Sequence, residues 1–183
     1  MPISPSEASK ALRDLSATEL ASASAYKYAR AAPHLILWGA IWFVGYGLTY
    51  LGPRLSVVWI PLVLVGAVGS GWLGARARPP EQRGDWRRAI ATLAAILLAL
   101  CALFAVLRPL EAPRIGAFFP IVIGFAYTVL GIRERATRIL ILGVAFTGLT
   151  VLGFFWVPDY FSLWMAVVGG LGLVLGGVWL RTL

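Results

Sequence analysis

Few side chains in this sequence could carry covalent or acid–base chemistry, and they are scattered. The 183 residues include one Cys (Cys101), one His (His34) and 8 Asp and Glu residues. A single Cys excludes an internal disulfide and a paired-cysteine zinc or redox site, and a single His excludes haem ligation by two His side chains. A serine nucleophile such as Ser70 would need a His on another span to activate it, whereas His34 precedes the first apolar run. We therefore predict no enzyme activity and assign no catalytic residue, metal or cofactor.

Hydroxyl groups inside the apolar runs are the next candidates. Five of them are candidate polar groups of a small pocket: Tyr46, Thr49, Tyr127, Thr147 and Thr150. Hydroxyls in lipid mostly form hydrogen bonds between helices, so these groups either hold helices together or, where they converge, bind a small molecule. His34 stands at the mouth of the first apolar run, where a lone His is expected to make an interfacial polar contact.

The elements that position these groups are long and apolar. Hydrophobic residues make up 60% of the chain and charged residues 13%, and the mean hydropathy is +0.82. A soluble domain carries about a quarter charged residues, so a water-soluble globule is excluded. A membrane-spanning helix needs about 20 mostly apolar residues. Six stretches meet this requirement, at about 35–52, 55–74, 89–107, 115–132, 139–157 and 161–180.

These stretches predict an all-α integral membrane protein. It has a bundle of six transmembrane helices in residues 34–183 and a short helical N-terminal segment in residues 1–33. Capping patterns beginning at Ser4 and Ser16 predict two short helices in that segment; the second ends at Pro33 or passes through it with a kink. The even-numbered spans end alike, in Gly-rich sequence stopped by Arg. This similarity permits three stacked hairpins, although an inner Arg anchor on each such helix explains it equally well.

The distribution of the basic residues predicts how the chain is oriented across the membrane. Thirteen Lys and Arg residues lie in the N-terminal segment, the second and fourth loops and the C-terminal tail, and only Arg54, Arg108 and Arg114 lie in the other loops. Cytoplasmic loops carry the excess of Lys and Arg, so both termini are predicted in the cytoplasm. The Arg- and Ala-rich composition suggests a bacterial inner membrane. The net charge of +8 is then a topology signal, and no nucleic-acid partner is predicted.

Small residues and loop arginines indicate contacts. Residues spaced four apart permit close helix approach, and the candidate packing faces are Gly66, Ser70, Gly74, Gly172 and Gly176. Their partner is either another helix of the same chain or a second copy in a homodimer. The second loop contains the candidate anionic-lipid contacts Arg83, Arg87 and Arg88, although topology alone also explains this charge.

Two functions follow from these features. The first is a non-catalytic interaction or regulatory membrane protein, which contacts membrane lipids and binds a membrane or cytoplasmic protein through its Gly-rich faces and N-terminal helices. The alternative is a small-molecule binding or transport subunit with an intramembrane pocket near Tyr46, Tyr127 and Thr147.

Overall fold

The computed structural model describes residues 5–76, 98, 102 and 112–182. Within these ranges the chain is almost entirely helical and contains no strand, which confirms the all-helical prediction. The described residues include 5 helices that are long and apolar enough to cross a membrane. Apart from Leu98 and Ala102, the predicted third span (89–107) lies outside the described residues, as do Arg83, Arg87 and Arg88.

The helices are named here in chain order. Helices α1 to α4 are Pro5–Leu51, Trp59–Arg76, Ala112–Arg133 and Thr137–Trp156. The segments Phe161–Trp164, Met165–Leu171 and Gly172–Leu180 follow one another without a break, and together they form α5. The 3₁₀ turns Pro53–Val58 and Pro158–Tyr160 connect α1 to α2 and α4 to α5.

Helix α1 is one uninterrupted element of 47 residues. The separate short helices predicted for the N-terminal segment are therefore not observed. Around the second capping pattern the helix simply continues, and the Thr18 hydroxyl donates a hydrogen bond to the Asp14 carbonyl at 2.8 Å. Pro33 lies inside α1, where it removes one backbone donor. The part of α1 that is long and apolar enough to cross a membrane is Ala25–Leu51, which begins ten residues before the predicted span at 35–52.

Helix α1 is the central element of the described bundle. On α2, Trp59 lies beside Gly45 and Ser70 beside Trp38, so α2 runs antiparallel to α1. Helix α5 is also antiparallel to α1, because Gly170 lies beside Phe43 and Gly177 beside Ala32.

Helix α3 follows the same direction as α2. Gly116, near its start, contacts Tyr46, and Glu134, just after its end, contacts Lys27. We call the end of the bundle with Lys27 and Glu134 the basic end, and the end with the two 3₁₀ turns the opposite end. Because α2 and α3 are parallel, the chain leaves α2 at the basic end and enters α3 at the opposite end.

Glycines let α1 and α5 approach until their backbones touch. A Cβ atom added to Gly39 would lie 2.7 Å from both the Gly170 carbonyl and the Val174 nitrogen. A Cβ atom on Gly177 would lie 2.9 Å from the Ala32 carbonyl. Since lipid supplies little hydrophobic force between helices, such van der Waals contact is the main source of their association. The π-helical segment Met165–Leu171 lies within this contact region.

Helices α3 and α4 form the most closely packed neighbouring pair, through two matching Gly-x-x-x-Thr patterns. A Cβ atom on Gly143 would lie 2.5 Å from the Thr128 nitrogen, and one on Gly124 would collide with the Thr147 hydroxyl. This pair joins the predicted spans 4 and 5. The predicted arrangement of three hairpins, which pairs spans 3–4 and 5–6, stays a prediction.

The turn between α3 and α4 contains the one non-glycine residue of the described chain with a positive φ, Arg135 at 52°. The Ala136 N–H donates to the Gly131 carbonyl at 2.8 Å, and the Arg135 N–H donates to the Ile132 carbonyl at 3.2 Å. This is the Schellman pattern of helix termination, whose left-handed position is usually Gly. A side chain there costs roughly 1 to 2 kcal/mol.

Candidate functional site

An aromatic cluster near the opposite end joins α1, α2 and α3. The Tyr46 hydroxyl donates to the Gly116 carbonyl at 2.6 Å. The Trp59 indole N–H donates to the Thr49 hydroxyl at 3.1 Å, and that hydroxyl donates to the Gly45 carbonyl at 2.8 Å. The Tyr46 and Trp59 rings meet edge to face, with centroids 4.8 Å apart. Two of the predicted pocket residues, Tyr46 and Thr49, are thus brought together, and each hydroxyl has a partner within the chain.

The other three candidate pocket residues lie elsewhere, on α3 and α4. The Thr147 hydroxyl donates to the Gly143 carbonyl at 3.0 Å and faces Gly124 of α3. Thr150 is buried and donates to the Phe146 carbonyl at 2.8 Å. Tyr127 is half-buried against the apolar core. The hydroxyls of Thr147 and Thr150 thus bond within their own helix, and a pocket formed by all five residues stays a prediction.

The small residues predicted as packing faces differ in what they contact. A Cβ atom on Gly66 would lie 2.8 Å from the Trp38 ring, and Ser70 accepts a hydrogen bond from the Trp38 indole at 3.0 Å. Gly176 faces the Leu142 side chain of α4. Gly74 and Gly172 have no atom within 4 Å of an added Cβ in the described structure. Three of the five therefore face helices of the same chain, and a homodimer face stays a prediction.

The basic end is held by a polar network that the sequence analysis does not identify. Lys27 forms an ion pair with the Glu134 carboxylate at 3.1 Å, and its ammonium also donates to the Glu134 carbonyl at 2.9 Å. The Arg138 guanidinium donates to the Trp179 carbonyl at 2.8 Å and lies 4.7 Å from the centre of the Trp179 ring. The backbone N–H of Arg138 also donates to the Tyr28 hydroxyl at 3.4 Å.

This network ties α1, the α3–α4 turn and the end of α5 together. The Lys27–Glu134 pair is about two-fifths exposed, with side-chain exposures of 38% and 42%. Ion pairs this exposed contribute roughly 0 to 1 kcal/mol, so the network orients the helix ends more than it stabilises the fold. Its partners are more than 40 residues apart in the chain, and no local spacing signals such contacts.

His34 lies on α1, four residues after Arg30 and half-buried. Its Nδ1 atom is buried and has no hydrogen-bond partner among the described residues. The interfacial contact predicted for His34 therefore stays a prediction.

Helix α2 presents a bare apolar face. Only Gly66 of α2 is buried, and a shallow groove on the helix is lined by Leu64, Val65, Val68, Gly69 and Trp72. The side chains that line this groove are mainly apolar, so its surface suits lipid chains or another apolar helix.

The N-terminal arm, which we define as residues 5–24 of α1, carries exposed side chains where the structure describes them. Every side chain that the structure describes from residue 9 to residue 22 is exposed to solvent. Leu12 and Leu15 are 68% and 60% exposed. From Tyr28 onward the same helix enters the core, and Tyr28, Ala32 and Leu35 are buried.

No group of three His, Cys, Asp or Glu side chains that could hold a metal occurs in the part of the chain that the structure describes. The chain matches no family model, and it has no significant match among curated proteins or solved structures.

Proposed function

We propose that this chain is a non-catalytic membrane protein that binds a protein partner through its N-terminal arm. The observation that carries the proposal is the contrast along α1. The described side chains of residues 9–22 are exposed, whereas Tyr28, Ala32 and Leu35 of the same helix are buried. Most helical stability in proteins comes from the packing of one helix face rather than from intrinsic propensity, so an exposed arm gains stability by packing against another protein.

The length of α1 supports this role. Its 47 residues extend about 70 Å at a rise of about 1.5 Å per residue. The hydrocarbon core of a bilayer is about 30 Å thick, and the 27 residues from Ala25 to Leu51 are enough to cross it. The arm then projects beyond the membrane as a continuation of the central helix. A partner bound to the arm acts directly on the helix that α2 and α5 pack against, which provides a route for regulation.

The recognition surface within the arm is the side that carries Leu12 and Leu15. Residues three apart lie on one face of a helix, and both side chains are more than half exposed. Helix-in-groove recognition uses apolar anchors with this spacing. Lys10 is also exposed and, at about 100° per residue, lies on the other side of the arm.

We propose further that the chain has six spans in a bacterial inner membrane, with both termini in the cytoplasm. The parallel directions of α2 and α3 support an additional crossing between them, and residues 89–107 have a suitable length and composition. Beyond the arm, the basic end carries Lys27, Arg30, Arg76, Arg133, Arg135, Arg138 and Arg181, whereas Arg54 and Arg114 lie toward the opposite end. This imbalance supports a cytoplasmic basic end.

Photo-crosslinking in the native host tests the proposed interaction. A photoreactive amino acid at Leu15 should form a defined adduct with one protein at near-stoichiometric yield. The double substitution Leu12→Ala/Leu15→Ala should lower copurification of that protein through a C-terminal tag at least ten-fold. Thermal unfolding of the purified bundle should stay unchanged, because both side chains are exposed.

Lys10→Gln is the matched control, since it alters the arm on its other face. It should leave copurification within two-fold of the original chain. Equal recovery of the partner from the double-alanine variant would contradict the proposal, as would adducts to lipid alone at Leu15.

A further inference from the structure

Arginines from distant parts of the chain gather around the α3–α4 turn at the basic end. Arg133, Arg135 and Arg138 lie within two turns of one another across this connection. Arg138 brings the end of α5 beside them, because its guanidinium donates to the Trp179 carbonyl at 2.8 Å and to the Thr182 hydroxyl at 3.3 Å. Arg181 lies between those two residues in sequence and is exposed. Four arginines therefore lie at this end of the bundle, on the α3–α4 connection and at the end of α5.

Most of this charge is not neutralised within the described chain. Glu134 is the one acidic residue that the structure describes at this turn, and Lys27 occupies its carboxylate at 3.1 Å. The exposed side chains of Arg133, Arg135 and Arg181 form no hydrogen bond or ion pair with any other described residue. They remain available to a ligand with negative charge.

The backbone at Arg135 adopts a conformation that favours glycine. Its φ of 52° is the position at which Gly ends a helix without steric cost. The chain carries Arg there, and the side chain points to solvent rather than to a stabilising partner. Side chains kept in an unfavourable backbone region are grounds for a functional hypothesis.

The surroundings favour a ligand at the membrane surface. Trp179 stacks against Arg138 with 4.7 Å between guanidinium and ring centre, and Trp72 lies under Arg76 at 3.9 Å. Trp side chains concentrate at the level of the lipid headgroups. Arg binds phosphate oxygens in a two-pronged geometry that the ammonium of Lys cannot reproduce.

We infer that Arg133, Arg135, Arg138 and Arg181 form a binding site for the phosphate of an anionic phospholipid headgroup. Arg138, fixed by Trp179 and Thr182, provides the positioned guanidinium, and the three exposed arginines close around the phosphate. This site is separate from the second-loop arginines, and it does not depend on a partner of the N-terminal arm.

Energy transfer from the protein's tryptophans to acyl-chain-labelled phosphatidylglycerol in detergent micelles tests the site, with labelled phosphatidylcholine as the neutral reference. Arg135→Gly should weaken phosphatidylglycerol binding about five-fold, the contribution of one basic residue near an anionic surface, and leave phosphatidylcholine unchanged. The same variant should unfold at an equal or higher temperature in neutral lipid, because Gly adopts the positive φ at position 135 without steric cost. Arg135→Lys should weaken phosphatidylglycerol binding less than Arg135→Gly does, because the ammonium keeps the positive charge but loses the two-pronged geometry.

Arg54→Gln, at the opposite end, is the matched control and should leave phosphatidylglycerol binding unchanged. An equal loss for Arg54→Gln would show that net charge alone attracts the lipid, and unaltered binding by Arg135→Gly would remove the site; either result overturns the inference. Complete displacement of phosphatidylglycerol by about 10 mM inorganic phosphate, compared with chloride at equal ionic strength, would assign the arginines to a free anion instead and would also overturn it.

Discussion

The contact between helices α3 and α4 is built from different groups than the contact between α1 and α2. In the first pair, the Gly143 and Gly124 positions face the backbone and the threonine hydroxyls of the opposite helix. In the second pair, glycines face rings: Gly45 meets Trp59, and Gly66 meets Trp38. The indoles of both tryptophans also donate to hydroxyls on the partner helix, at 3.1 Å to Thr49 and 3.0 Å to Ser70.

This difference determines which pair can adjust. A backbone atom cannot move without shifting its whole helix, whereas a ring can tilt about two side-chain bonds. The α3–α4 contact should therefore behave as a rigid unit, and the α1–α2 contact should tolerate small changes. The exposed outer face of α2 agrees with this view, since α2 is held to the described bundle by a few large side chains.

The largest effect is expected from Gly143→Ala. The added Cβ atom would lie 2.5 Å from the Thr128 nitrogen, so the two helices must separate. Overpacking of this kind costs about 3 kcal/mol in the free energy of unfolding. Titration of the purified protein with sodium dodecyl sulfate, followed by circular dichroism, measures the loss. Gly148→Ala is the control on the same helix, because no described atom lies within 4 Å of its added Cβ; an equal cost at both positions would break the comparison.

A smaller effect is expected from Gly45→Ala. Its Cβ atom would lie 2.7 Å from the far edge of the Trp59 ring, which can rotate away at a cost of about 1 kcal/mol. The same titration measures this cost, and Gly47→Ala should be neutral because nothing described lies within 4 Å there. A loss as large as that of Gly143→Ala would show that ring-mediated contacts are no more adaptable than backbone contacts.

The smallest effect is expected from Thr147→Val. The substitution keeps the branched shape but removes the hydrogen bond to the Gly143 carbonyl, 3.0 Å away. Side-chain hydrogen bonds in membrane proteins contribute about 0.6 kcal/mol on average, so packing should dominate this contact. Thr147→Ser, which keeps the hydroxyl, is the comparison in the same titration. A greater loss for Thr147→Val than for Gly143→Ala would assign the pair's stability to polar contacts instead.

Much of the architecture was predictable from the sequence, for a local reason. A run of about 20 apolar residues has to satisfy its backbone polar groups within itself in lipid, and only a helix does this in an open chain. The all-helical class and the approximate limits of four of the five described spans follow from that requirement, whereas the first begins ten residues before its predicted start. The Gly-x-x-x-Thr patterns at Gly124 and Gly143 are present in the sequence but were not identified there as packing faces, and Thr147 was interpreted as a pocket residue.

The continuity of α1 was harder to predict, because two local signals each indicated a break in the helix. Residues Ser16–Glu19 form a sequence that often starts a helix, and Pro33 often interrupts one. Neither signal interrupts the helix, which continues from the exposed arm into the core. The partners of individual glycines were not predictable either, since Gly172 and Gly176 share one spacing but only Gly176 meets another helix.

The sequence by itself determined where the chain is apolar, where it is basic and which segments must be helical, because hydropathy and charge are properties of each residue alone. Only the tertiary structure decided that α1 is central, that α3 packs on α4, and that Arg138 joins Trp179 and Tyr28 at the basic end. Such contacts depend on helix rotation and register, which in lipid are set by small differences in van der Waals fit between many similar apolar faces. No single residue encodes that fit.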